Sequence, residues 1–509
     1  MSWRDETDEI HRRRAAALTQ GGAQSVARQH AKGKLTIRER IDALLDPDSF
    51  DEIGRGAGAM GDDGFEPANY VLGFGRIEGR RVLVGGEDFT MKGGSPSAAG
   101  YRKSRYTEDL ALQYRCPLIR LHEGAGGSVG GTGKASLPAP VFEPHRFISV
   151  ARCMATVPVA SGAMGAVAGM PAGRLVASHF SAMAAATAQI LTAGPAVVER
   201  AMGEKKTKEE LGGAQIHTKN GTVDNAAADE AEVFAQIRRF LSYLPSNIWE
   251  LAPRADEDDP VDREEEALLD IVPRDRRRAF DMRRLLGLVL DQGSFFEIGR
   301  GYGRSQITGL ARLNGHAVGI WANDGKHLAG SMTAAGAQKA RRFLEMAQTF
   351  HLPILSFVDE PGFMIGSQAE REATIRHGAA AVLTAVQTTV PWATVMVRRS
   401  FGVAQAAHYG PDNYVLAWPS AETGPLPVEG GVAVAFHREI AAAPDPEAKR
   451  RELEEQLAAK QSPFPRAEAF AVHELIDPRE TRPMLVRWLE RSLPLLPGLL
   501  GPSSFTCRP

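Results

Sequence analysis

The recurring feature with chemical potential in this chain is glycine, not a set of titratable side chains. His122, His217, His377 and His473 each stand apart, and no Ser/His/Asp triad, metal cluster or Walker loop can be assembled from the spacing. Small-residue segments recur instead. A GGS turn at 93–95 is echoed by AGS at 329–331, a glycine-rich loop at 124–131 by one at 360–366, and Gly165–Met170 by Ser400–Ala404. Glycine lets backbone approach a ligand closely. A backbone N–H at a strand-to-helix turn can stabilise a developing oxyanion without any side chain. The chemistry this pattern points to is electrostatic and made by the main chain.

The elements that must carry these turns come in two copies. LDPDSFDEIGRG (45–56) matches LDQGSFFEIGRG (290–301) at nine of twelve positions, an offset of 245. From Gly73 the offset is 236: Gly73 falls on Gly309, Gly79 on Gly315, Asp88 on Asp324, Lys103 on Lys339 and Glu123 on Asp359. The difference, 245 − 236 = 9 residues, is a longer loop in the first copy between 57 and 72. A repeat sustained through several segments is a domain duplication. Each copy predicts two short strands (71–77 and 81–84 in the first) joined by a Glu78-Gly79 turn, a helix over about 98–114, and a buried strand at 117–122 running into the glycine loop. Alternating strands and helices imply an α/β fold. We divide the chain into an N-terminal domain, 1–250, an acidic Pro-containing linker, 251–273, and a C-terminal domain, 274–509. Helices are expected at 6–30, 446–460 and 479–493, and a buried strand and turn within 154–172.

Composition narrows the function class. With 60 Lys and Arg against 62 Asp and Glu, the formal net charge of -2 argues against sequence-independent nucleic-acid binding. Three scattered cysteines, Cys116, Cys153 and Cys507, suit a reducing compartment and make neither a zinc ribbon nor a CxxC pair. The charged N-terminus lacks a signal-peptide core, and no apolar run is long enough to span a membrane, so a cytoplasmic protein is expected.

Several longer segments resemble one family. QHAKGKLTIRERIDALLDPDSF (29–50), EDFTMKGGS (87–95), EELGGAQIHTKNGTVDN (209–225), LSYLPSN (241–247), FVDEPGFMIGSQAEREATIRHGA (357–379) and VHELIDPRETR (472–482) are similar to the β subunits of propionyl-CoA and related acyl-CoA carboxylases. That resemblance implies a tandem duplication of a crotonase-like domain, the N-terminal copy on the acyl-CoA side and the C-terminal copy on the biotin side. It implies a carboxyltransferase subunit that moves a carboxyl group from carboxybiotin to an acyl-CoA, with CO2 released in the site, a biotin enolate taking the α-proton, and the acyl enolate attacking CO2. Two oxyanions then need two holes.

Carried over by position, the acyl hole uses the N–H groups of Gly169 and Met170, and the biotin hole those of Gly402, Val403 and Ala404. The resemblance places Gly93, Gly94, Ser95, Lys103, Gly126 and Gly127, with Phe363 and Gly366, against the coenzyme A and biotin ligands. Lys92, Arg102 and Lys103 are candidates for the coenzyme A phosphates, and no metal is implied. Biotin must come on a partner, a biotin carboxylase/biotin carboxyl carrier subunit, because this chain has no biotinyl motif. A homo-oligomer is implied, a hexamer first, with the N-domain of one subunit facing the C-domain of another. A biotin-dependent sodium-pumping decarboxylase subunit and a catalytically silent scaffold paralogue are the other readings. The chain departs from the family at AGMP (168–171), where AGGA is usual, and at Val403. It departs again at EGAGG (123–127) and at TGPLPVEGG (423–431). Arg120 and His122 stand where apolar residues are common, reading as a solvated strand edge or as a polar acyl pocket.

Overall fold

The computed structural model describes residues 2–62, 64–126, 147–256 and 258–509. It divides into two units: residues 1–250 with Arg508 and Pro509, and residues 251–507.

Each unit is built on one eight-stranded sheet. In unit 1 the order across the sheet is Asp51–Glu52, Tyr70–Ile77, Arg80–Glu87, Leu118–Gly124, Val159–Ala168, Phe180–Ala184 and Asn225–Ala227, with Gln189–Leu191 pairing off Val159–Ala168. In unit 2 the order is Phe296–Ile298, Gln306–Leu313, His316–Asn323, Ile354–Glu360, Trp392–Phe401, Tyr414–Ala417 and Glu474–Leu475, with Glu422–Gly424 pairing off Trp392–Phe401. The first two pairings of each sheet are antiparallel and the rest parallel.

The register repeats with the sequence offset. Glu52 lies opposite Gly73, and Glu297 opposite Gly309. Sterics explain why glycine is kept there: a Cβ on Gly73 would meet the Asp51 carbonyl oxygen at 2.3 Å, and one on Gly309 the Phe296 carbonyl oxygen at 2.4 Å. The helices before the sheets also match. Ile37–Leu44 starts with a Thr36/Glu39 capping box, and Met282–Val289 with Asp281 accepting from the Arg284 N–H. The helices Ala98–Tyr114 and Ala334–Thr349 begin 236 residues apart, capped by Ser97 and Thr333. The extra nine residues of the first copy lie in a region that holds a small hairpin, Gly58–Gly61 with Gly64–Pro67.

The segment 251–273 is not a free tether. Leu268 and Ile271 are buried in the core of unit 2 with Leu285, Phe357 and Trp418. Arg263 donates to the Leu288 and Leu290 carbonyls, and Arg482 to the Asp259 and Pro260 carbonyls. Its acidity mattered less than its few apolar residues and the arginines that receive it. The expected N-terminal helix is two, Arg4–Leu18 and Ala23–His30, separated at Gly21 and Gly22, and Gly22 has φ +83°. All three cysteines are buried thiols.

Candidate active site

The strand Val159–Ala168 ends at Gly169, where φ is +67° and ψ −133°, and the helix Met170–Val176 begins. Only glycine holds that backbone without strain. The position is also crowded: a Cβ on Gly169 would meet Gly126 Cα at 2.8 Å. The GGS turn joins the same place. A Cβ on Gly94 would meet the Glu123 carbonyl oxygen at 2.6 Å. The Ala125 N–H donates to the Gly93 carbonyl at 3.1 Å, and Ser95 Oγ donates to the Gly126 carbonyl at 3.3 Å. The structure thus brings Gly93, Gly94, Ser95, Gly126, Gly169 and Met170 together. Gly127 lies outside the described residues. Met170 opens the helix, so its N–H has no intrahelical acceptor, and it lines a cavity of ≈ 140 Å³ with Gly94, Gly126 and Pro171. Pro171 lacks an N–H but fits the first turn.

Lys103 does not join this group. Its Nζ donates to the Gly54 carbonyl at 3.2 Å and stands 4.0 Å from Glu52, and burial pushes its pKa down to about 8. Its counterpart Lys339 likewise donates to backbone, at Tyr302 and Gln306. Both lysine side chains lie against a positive-φ glycine, Gly54 or Gly299, so this pair holds the duplicated fold. Lys92 is exposed in an ion pair with Glu66 at 2.6 Å, and Arg102 is exposed. Lys92 and Gly93 line a cleft of ≈ 290 Å³ with Arg28 and Lys32. Sequence reading missed those two cations, whose only trace was their i, i+4 spacing.

The equivalent turn of unit 2 follows the strand Trp392–Phe401. Gly402, 233 residues after Gly169, has φ +65°. Its N–H is already given to the Gly424 carbonyl at 3.2 Å, which removes it as a free donor and leaves those of Val403 and Ala404. The Val403 side chain is 64% exposed, pointing outward instead of crowding the turn. Gly402 and Val403 border an open cleft of ≈ 710 Å³, lined also by Met396, Tyr409, Val415, Pro425 and Val472. Phe363 and Gly366 are not among its lining. A Cβ on Gly378 would meet the Phe363 ring at 2.2 Å, so that ring is packed on the helix Thr374–Val386, and Gly366 is exposed with φ +104°.

The carboxyl transferase domain model matches residues 28–492. The chain belongs to the carboxyl transferase family. It is 35% identical over 96% of both chains to the propionyl-CoA carboxylase carboxyltransferase subunit of Haloferax mediterranei. It is 32% identical over 94% of both chains to the methylmalonyl-CoA decarboxylase subunit alpha of Veillonella parvula. A transcarboxylase 12S structure, a hexamer assembly with methylmalonyl-coenzyme A and methylmalonic acid bound, superposes with a TM-score of 0.88 at 30% identity, covering 97% of this chain and 96% of that one. The two α/β units are a duplicated crotonase-like fold. The protein is a carboxyltransferase of the biotin-dependent acyl-CoA carboxylase type.

Against that family frame, Arg120 and His122 are corrected. Their strand, Leu118–Gly124, is central in the sheet and buried along its whole length, so neither residue is on a solvated edge. Arg120 donates to Glu108 Oε1 at 2.9 Å and to the Arg174 and Ala177 carbonyls. Arg174 Nε stands 3.1 Å from Glu108 Oε1, and its Nη1 donates to Ser104 Oγ at 3.0 Å. His122 Nδ1 lies 3.2 Å from Glu87 Oε2. Burial alone would raise the Glu87 carboxyl, but His122, a backbone hydrogen bond and the nearby Arg174 together outweigh it and hold the pKa below the usual range. Glu87 and Arg174, not Arg120 and His122, line the ≈ 140 Å³ cavity beside Met170.

Proposed function

We propose that the carboxyltransferase handles its acyl-CoA at the Gly169 turn and the biotin ring at the Gly402 turn. The observation that supports this most is the pairing of two equivalent strand-to-turn glycines with two unlike cavities. The ≈ 140 Å³ pocket of unit 1 is lined by the buried pair Arg174 and Glu87, whereas the ≈ 710 Å³ cleft of unit 2 is wider and sets Met396, Val415 and Val472 beside Gln405, Tyr409 and Arg466.

At the first turn, the Met170 N–H, with that of Gly169, faces the thioester oxygen as its charge grows. Donors fixed by backbone need no reorganisation, and loss of one costs about 2.7–4 kcal/mol of barrier. Gly94 and Gly126 allow the thioester close to the main chain. Arg28, Lys32 and Lys92 offer three cations to the coenzyme A phosphates.

At the second turn, Val403 and Ala404 donate to the ureido oxygen of biotin, while Met396, Val415 and Val472 receive the uncharged ring. Gln405, Tyr409 and Arg466 on the same lining offer polar groups to the ring's edge, so the residues present fit a bicycle with one polar side. Biotin, brought by the carrier of a partner subunit, supplies the carboxyl group. We place the enzyme in the cytoplasm as a homohexamer; among the described residues no helix is long and apolar enough to cross a membrane.

The test is carboxyl transfer from malonyl-, methylmalonyl- or ethylmalonyl-CoA to free biotin by the purified chain. Transfer by the parent, lost in correctly assembled Gly169→Ala, supports the reading. Transfer that persists at the parent's rate in correctly assembled Gly169→Ala overturns the assignment of the acyl site to this turn.

A further inference from the structure

The cavity beside Met170 has an unusual floor for a pocket that would take a short alkyl chain. Arg174 and Glu87 both line it, 4% and 5% exposed, with Ser104, Tyr70 and Tyr101. Met170 and Arg174 are four residues apart on one helix, so both sit on the same face, about one turn apart. The pocket therefore has an oxyanion donor at one end and a guanidinium toward the other.

The guanidinium is held, not saturated. Among the described residues, Arg174 gives Nη1 to Ser104 and Nη2 to Glu108 at 3.4 Å, and its buried Nε makes an ion pair without hydrogen-bond geometry. A guanidinium has five N–H donors. Glu87 is bonded on one side by the His122 ring, which leaves acceptor positions on its two oxygens. Behind them, Arg120 and Glu108 hold Arg174 in place as positioning residues. Among the described residues, the charged side chains that line the cavity are one guanidinium, Arg174, and one carboxylate, Glu87.

The geometry points to an acyl group that carries a neutral hydroxyl on its distal carbon, accepting from Arg174 and donating to Glu87. This rests on the Gly169 turn being the acyl-CoA site. A plain alkyl end would leave the remaining donors of Arg174 and the remaining acceptor positions of Glu87 without water or partner. A carboxylate end would set its charge against that of the buried Glu87 across a small cavity. At about 30 Å³ for each water-sized group, ≈ 140 Å³ holds an end of roughly four or five non-hydrogen atoms.

The experiment measures binding of butyryl-CoA, 4-hydroxybutyryl-CoA and succinyl-CoA to the assembled protein by calorimetry. These differ only in a terminal methyl, hydroxymethyl or carboxylate. The parent is expected to bind the hydroxyl compound roughly 10- to 100-fold tighter than butyryl-CoA, the range for one hydrogen bond to a charged group. Arg174→Met should bring the two within about twofold. Glu87→Gln keeps the shape and should lose roughly three- to tenfold of the preference, a second readout if Arg174→Met fails to assemble. Equal or tighter binding of butyryl-CoA by the parent overturns the inference alone and leaves the acyl site standing. Tightest binding of succinyl-CoA overturns the neutral hydroxyl. Failure of all three to bind overturns the acyl site as well.

Discussion

Gly169 and Gly402 end equivalent strands with nearly the same φ, +67° and +65°, yet they are locked differently. Gly169 is pressed against another backbone, whereas the nearest atom to a Cβ on Gly402 is the Pro425 oxygen at 3.6 Å. Gly402 in turn spends its N–H on Gly424, and among the described residues Gly169 makes no such bond to Leu191, the matching position. The acids at the ends of the fourth strands diverge in the same way. Both sit where the pairing register shifts. Glu123 is held by Lys34, Arg40 and Gln29, from the segment before the sheet. Asp359 is held by Arg398 and Arg399, from the neighbouring strand. Duplication preserved the backbone path and left the side chains that support it free to come from elsewhere.

The sharpest break of that comparison is at the acids. Arg40 is fully buried and serves both Glu123 and Glu230, so Arg40→Met leaves carboxylates short of a partner and should cost unit 1 about 3–5 kcal/mol. Arg399→Met leaves Asp359 its Arg398 fork and should cost about 1.5–3 kcal/mol. Urea denaturation of both variants checks the ranking, and equal losses would refute it.

Next come the glycines. Gly169→Ala is expected to lower carboxyl transfer by roughly 10²–10³-fold, because the added carbon must displace Gly126 and with it the oxyanion donors. Gly402→Ala meets only the left-handed backbone penalty of about 1–2 kcal/mol and should lower transfer roughly tenfold or less. A reversed order in steady-state rates would show that the second turn is the tighter one.

A pH effect follows from Lys103. Burial lowers its pKa from an ordinary 10.5 to about 8 in the fold. Between those values the unfolded chain holds more protons than the folded one, so stability rises with pH across that window. The cost of keeping the charge is complete below about 8. Lys103→Met should flatten the rise when denaturation midpoints are compared at pH 7.5 and 9.5.

The smallest effect should be at Lys92, whose counterpart in unit 2 is Leu328; both are exposed with φ near +50°. Lys92→Leu removes an exposed ion pair worth about 0.2–1 kcal/mol and should barely move stability. It should weaken coenzyme A binding several-fold, with the loss shrinking at high salt. Unchanged affinity would remove Lys92 from the phosphate site.

The fold was largely legible because the duplication marks positions where the main chain has no room, such as Gly73 and Gly309, and such positions survive divergence. The turns were legible for the same reason. What was not legible is what long-range pairing decides. A buried parallel strand normally reads as an apolar run, so Arg120 and His122 suggested an edge. Their partners Glu108, Arg174 and Glu87 lie on other elements, with no spacing to announce them. Lys103 looked like one of a basic helix face until Gly54 supplied the carbonyl that claims it. Gly402 looked like a donor because nothing local shows that Gly424 reaches it.

The buried thiols have a consequence for handling the protein. Burial pushes the Cys116 thiol up to about 12 and raises Cys153 as well, so neither is appreciably a thiolate at neutral pH. Cys116 and Cys153 belong to unit 1 and Cys507 to unit 2. Alkylation at pH 7 then waits on the opening of one unit or the other. Mass spectrometry of the labelled peptides gives each half its own clock, read from native cysteines without a mutation.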